Sequence, residues 1–200
     1  AVITMICAQP LINAMATLNE HMSLPSFLHE LEVWMRNSED KNKIATEQFL
    51  KMNSINELLL NIFIVAVIPA IGEEMFFRGA MQKTIIEWGG GIHKGIWISA
   101  IVFSAFHFQF FGFFPRMVLG ALFGYMMIWG RTIWLPIVAH FTNNAGAVIL
   151  SYLIQKEYLP KGADEIGSVN AEIIYTVISI LIVGACMFYV YKYRPAESEL

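Results

Sequence analysis

The stretch ELLLNIFIVAVIPAIGEEMFFR, residues 57–78, decides how the chain folds. Its first 16 positions carry one charge, at the very start, and then Glu73, Glu74 and Arg78 follow within six residues. A helix that crosses the hydrocarbon core needs about 20 predominantly apolar residues. The run is long enough to cross, so its three charges sit where a charge is expensive to place.

The rest of the sequence repeats the apolar pattern. Hydrophobic residues make up 56% of the 200 positions and charged residues 14%, with mean hydropathy +0.55. Soluble domains carry roughly 25% charged residues. Four further apolar blocks follow, at 95–113, 115–130, 133–154 and 172–192. The last is the most lipid-like, without a charge between Glu172 and Lys192. The expected fold is therefore all-α, a multi-pass transmembrane helix bundle with a polar cavity. The net charge of −3 says little, and the lack of a basic stripe argues against nucleic acid as a partner. Cys7 and Cys186 lie inside apolar blocks and read as small buried hydrophobes, with no disulfide implied.

The blocks define an organisation. Residues 1–18 are apolar from the first position and lack the basic start of a signal peptide, so they read as part of a transmembrane helix whose beginning lies upstream. Residues 19–56 place Phe27, Leu31 and Trp34 on one helical face opposite charged positions, which predicts amphipathic helix at the membrane surface or over the bundle. Residues 57–154 form the helical core. Residues 155–171 read as a polar loop, and 172–200 as a final span and tail. GGG at 89–91 reads as a turn. Gly120 and Gly124 form a small-residue pair that lets helices approach closely. If the blocks alternate, Lys83, Lys94, Arg131, Lys192 and Arg194 share one side, and the positive-inside rule puts that side and the C-terminus in the cytoplasm.

Ionisable groups within membrane segments face a bundle interior or a wet cavity. Here they are Glu73, Glu74 and Arg78 in the first block, His107 in the second, and His140 in the fourth, with Asn143 and Asn144 one turn beyond. Glu74 and Arg78 are four apart and can pair. Glu73 is rotated by about 100° from Glu74 and must face another neighbour. His140 and Asn144 again share a face. Glu73 and His140 both fall toward the basic side, with His107 deeper. A carboxylate among apolar walls suits a general base, imidazoles can share proton transfer, and an amide can stabilise an oxyanion. No serine or cysteine holds an obvious nucleophile position, and Ser104 reads as a packing hydroxyl. Water is the expected nucleophile and amide hydrolysis the expected reaction. Two histidines and a glutamate could also hold zinc, although neither histidine lies in an HExxH pattern.

These residues resemble the CPBP family of intramembrane proteases, which includes the type II CAAX proteases and bacteriocin-processing enzymes (the ABI family). Its three motifs stand here as Glu73-Glu74-x-x-x-Arg78, Phe103-x-x-x-His107 and His140-x-x-x-Asn144, in order on successive apolar blocks. The resemblance implies a membrane endopeptidase without a cofactor, acting on a membrane-associated peptide or protein from the cytoplasmic membrane. It implies that Glu73 and His107 activate water, and that His140 and Asn144 stabilise the oxyanion. Glu74 and Arg78 would then hold the site together, with Phe103 packed against it. Two rival readings stand beside this one: a non-enzymatic immunity or scaffold protein of the membrane, and a zinc-dependent form of the protease.

Overall fold

The computed structural model describes residues 1–164 and 173–194, and among these the regular elements are helices, with no strand. α1 (Val2–Glu20) leads through a short turn at Ser26–Leu28 into α2 (His29–Phe49). α3 spans 55–90 and starts where the Ser54 hydroxyl accepts the Glu57 N–H, which satisfies one of the free donors of the first turn. α4 (Gly91–Ala105), α5 (Phe113–Gly130), α6 (Trp134–Gln155) and α7 (Ile173–Lys192) follow. Part of the 155–171 loop, Glu172 and the last residues of the tail lie outside the described residues.

Among the described residues, five helical stretches are long and apolar enough to cross a membrane: Val2–Glu20, Ile55–Ala105, Phe110–Gly130, Trp134–Gln155 and Ile173–Lys192. The chain folds as an all-α, multi-pass helix bundle. Its outer surface supports this, since α7 exposes Leu181 and Phe188 and buries almost nothing except Ser179, whose hydroxyl donates to Cys7 O of α1. Apolar exposure on this scale matches a lipid solvent rather than water.

Two helix boundaries differ from the sequence reading. α3 does not stop near residue 78, because the following residues up to Trp88 contain no proline and the one glycine, Gly79, costs only about 1 kcal/mol within a helix. It ends in the glycine run expected as a turn, where Gly89 and Gly91 take φ of 87° and 73°, angles that glycine adopts at little cost. The second block is helical only to Ala105. Residues 106–109 leave the helix, Phe108 takes φ 51°, and a single turn at Phe110–Gly112 leads into α5. The Ser104 hydroxyl ties this loop back by donating to Phe113 O at 2.7 Å.

Among the described residues, three apolar clusters join the helices. Ile96, Ala100 and Ala121 pack α4 on α5. Met5, Ala8, Phe123, Met126 and Ala139 join α1, α5 and α6. Met52, Leu58 and Val148 join the start of α3 to α6. The amphipathic helix α2 buries none of its residues, yet it covers the loop after α4. The Glu39 carboxylate accepts the Phe111 N–H at 3.0 Å, the Arg36 guanidinium lies 4.2 Å over the Phe111 ring, and Trp34 meets Phe110.

Candidate active site

α3 carries a polar stripe at a spacing of four: Glu74, Arg78 and Gln82, all with 0% exposure. Arg78 Nη1 donates to Glu74 Oε1 at 3.0 Å, which makes the pair that the spacing allows. Arg78 Nη2 donates to Gly120 O at 3.0 Å, and Gln82 Nε2 to Gly124 O at 3.3 Å. The two glycines are thus more than a packing notch. A Cβ at Gly120 would lie 3.2 Å from the Ala100 backbone and from Arg78 Nη2, and one at Gly124 would lie 2.7 Å from Gln82 Oε1. Small residues at this spacing let a guanidinium and an amide reach main-chain carbonyls of α5. Gln82 was missed in the sequence reading. The matched steps 74-78-82 on one helix and 120-124 on another were the available signal.

The Arg78 charge is also shielded by rings, with Phe103 at 4.5 Å and Phe123 at 5.5 Å from its central carbon. Aromatic faces attract a desolvated cation. Phe123 stacks on His140 at 5.4 Å, and Phe103 stands edge-on to both His140 and His107, at 6.0 and 5.0 Å.

His140 joins this network through Nδ1, 2.8 Å from Glu74 Oε1. A carboxylate only accepts, so the ring places its Nδ1 proton there and turns Nε2 to the other side. On that side stands Glu73, with Oε2 at 3.9 Å from Nε2. This is beyond direct hydrogen bonding and is a separation across which a water can touch both groups. The adjacent carboxylates therefore differ in environment, as the 100° rotation requires: the Glu74 side chain is 0% exposed and the Glu73 side chain 33%.

His107 stands just past the end of α4, half-buried, its Nδ1 2.8 Å from Phe103 O. A carbonyl only accepts, so the Nδ1 proton is fixed and Nε2 is left as the ring's acceptor. α4 has 15 residues, so His107 lies roughly 22 Å along the helix axis from Gly91. That is deeper from the basic end than the middle of a 95–113 helix would be.

Asn144 is not left pointing freely beside His140. Its Nδ2 donates to Val65 O on α3 at 2.9 Å, and its Oδ1 accepts from Asn143 Nδ2 at 3.1 Å. Asn143 Oδ1 in turn accepts from Gln9 Nε2 of α1 at 3.1 Å. This relay orients the Asn144 amide and ties three helices together. Val65 lies in a stretch of α3, Ile62–Val67, wound with π-type hydrogen bonds, an irregularity that recurs at functional sites. The structure thus brings together Glu73, Glu74, Arg78, Phe103 and His140. His107 touches Phe103 and lies within electrostatic reach of His140 and Arg78, and Asn144 stands one turn along α6. Among the described residues, no three His, Cys, Asp or Glu side chains converge as a metal-ligand group.

Residues 55–146 match the family model described as type II CAAX prenyl endopeptidase Rce1-like. This stretch, just under half of the chain, is similar to that family over its matched residues, and it contains Glu73, Glu74, Arg78, Phe103, His107, His140 and Asn144. Over 89 residues the chain is 29% identical to the uncharacterized protein YpbD of Bacillus subtilis (strain 168). The match covers 42% of each chain, so this chain spans less than half the length of that curated relative. No solved structure matches the chain.

Proposed function

We propose that the protein is an intramembrane endopeptidase that hydrolyses a peptide bond with a water activated by Glu73. The observation that carries this reading is the split between the two neighbouring carboxylates. Glu74 Oε1 takes both Arg78 and His140 in a fully buried side chain, and its Oε2, like Glu73 Oε2, has no hydrogen-bond partner among the described residues. What sets Glu73 apart is that it hydrogen-bonds neither cation nor ring, is 33% exposed and faces His140 Nε2. A scaffold has no use for a second carboxylate at that place.

In the proposed reaction, water between Glu73 and His140 gives a proton to the Glu73 carboxylate as its oxygen attacks the substrate carbonyl carbon. The carbonyl π bond opens to an oxyanion. His140, held by Glu74 through Nδ1, uses a protonated Nε2 to stabilise that oxyanion, and the spare N–H of Asn144 assists it. The C–N bond then breaks. The proton held by Glu73 passes to the departing amine, directly or through His107 Nε2, and leaves one new carboxyl and one new amine. Preorganised donors at the developing charge supply the largest part of such catalysis.

The substrate class is a membrane-associated peptide or protein. The setting is the cytoplasmic membrane, with the C-terminus on the cytoplasmic side by the placement of Lys83, Lys94, Arg131 and Lys192. The test is cleavage of a membrane-peptide library by the purified protein, read by mass spectrometry with and without a chelator. Cleavage that survives chelation supports the glutamate mechanism. Cleavage lost to chelator and restored by zinc supports the metal-dependent variant. A protein that cleaves nothing but captures a membrane partner supports the scaffold reading.

A further inference from the structure

Arg116 has no part in the mechanism above. It stands in the first turn of α5, half-buried, and its Nη2 donates to Gln109 Oε1. Its Nη1 is buried, and no group among the described residues accepts from it. Nor does any carboxylate among the described residues form an ion pair with it. The nearby Glu39 carboxylate is already turned to the Phe111 N–H. The guanidinium lies over Gly112, where a Cβ would come within 3.2 Å of Nη2 and 3.5 Å of Nη1. Arg116 is within electrostatic reach of both Glu73 and His107. Its hydrogen-bond partner, Gln109, is two residues from His107.

A guanidinium cannot shed its proton in a protein, and a partly desolvated one calls for an anion. A carboxylate matches its planar fork. A route for such a group is present. A cleft of about 870 Å³ between α2 and the end of α6 is lined by Arg36, Glu39, Gln109, Phe111 and Lys156 among others, and so reaches the residue that holds Arg116. α2 stands over this loop, which favours a peptide entering along the cleft over a lipid headgroup arriving from the bilayer.

We propose that Arg116 is a carboxylate subsite for the substrate. It grips a C-terminal or acidic side-chain carboxylate of the peptide and so fixes how far the bond presented to Glu73 lies from that anion. The inference rests on the hydrolase reading and names the substrate class within it: peptides that carry an anion near the cleaved bond.

The test uses the full chain in detergent and two pairs of labelled peptides, one ending in a free acid or an amide, the other carrying Asp or Asn near the cleaved bond. Binding is measured by fluorescence anisotropy on the Glu73→Gln protein, and kcat and KM on the active protein. In at least one pair, the acidic peptide should bind about tenfold or more tightly than its neutral partner. Arg116→Gln should erase that preference and raise KM for the acidic peptide about tenfold more than for the neutral one. Arg116→Lys should restore part of it. Equal binding of acidic and neutral peptides would overturn the proposal, as would equal loss for both in Arg116→Gln. It also falls if phosphatidylglycerol vesicles, and not acidic peptides, compete for Arg116. The two readings fail separately: an acid preference without any turnover contradicts the hydrolase, and turnover without an acid preference contradicts the subsite.

Discussion

His140 and Glu74 are 66 residues apart in sequence and 2.8 Å apart in the bundle, Nδ1 to Oε1. The same oxygen accepts from Arg78 Nη1 at 3.0 Å. One buried carboxylate therefore anchors both a cation and an imidazole, and it is this anchoring that aims His140 Nε2 at Glu73.

The anchor sets what Arg78 is worth. Arg78→Leu leaves Glu74 charged and buried, and should destabilise the protein by about 3–5 kcal/mol. Arg78→Lys keeps the charge but loses the fork that serves Glu74 and Gly120 together, so its loss should be smaller, about 1–3 kcal/mol. Thermal unfolding in detergent, compared across the three proteins, measures both.

Glycine replacements should separate packing from mere presence in a helix. Gly124→Ala places a methyl 2.7 Å from Gln82 Oε1 and 2.9 Å from Ile96, and Gly120→Ala meets the Ala100 backbone at 3.2 Å. Overpacking of this kind should cost about 1–3 kcal/mol in each case. Gly146→Ala meets nothing within 4 Å and should be neutral or stabilising by up to about 1 kcal/mol, from helix propensity. Melting temperatures of the three alanine variants check the order.

These glycines also show what the sequence disclosed. The spacing of Glu74 and Arg78 foretold their pairing, because four residues return a helix to the same face. The opposed directions of Glu73 and Glu74 followed from the same geometry. The partner of His140 did not, because choosing between two adjacent carboxylates depends on how α6 rolls against α3. Gln82 stayed hidden because a lone glutamine carries no charge to draw notice. The end of α4 stayed hidden because FHFQFFGFF is apolar in a helix or a loop, and hydropathy cannot tell the two apart.

Gln9 lies outside the stretch that matches the family model, yet it completes the relay to Asn144. Gln9→Leu should leave Asn143 Oδ1 without its donor, a loss of about 1 kcal/mol. If the relay orients Asn144 for the reaction, turnover should fall about fivefold to tenfold with KM little changed, and Gln9→Asn should not fully restore it. Steady-state kinetics on the two variants decide this. An unchanged kcat would limit Gln9 to packing.

The turn into α2 should respond to acid. Glu32 accepts the Leu24 N–H and two Arg36 donors, and its pKa is held below the ordinary 4.5, first by the Arg36 hydrogen bond and then by the Leu24 N–H. A depressed carboxyl stabilises the fold above its unfolded pKa and loses that contribution as pH falls through its folded pKa. The Leu24–Arg36 turn should therefore hold at neutral pH and loosen only as the pH falls below 4.5. The Leu24 amide chemical shift, followed by NMR during an acid titration, reports it. Glu32→Gln should remove the transition.

The most direct measurement compares Glu73→Gln with Glu74→Gln for both turnover and thermal stability, in the same detergent and with the same cleavable peptide. With Glu73 as the base and Glu74 as the anchor, Glu73→Gln should lower kcat by at least about a thousandfold, at the upper part of the range for losing a general base, with its melting temperature close to wild type. Glu74→Gln should lower the melting temperature sharply by unpairing Arg78. A Glu73→Gln protein that still cleaves at the wild-type rate would contradict the account.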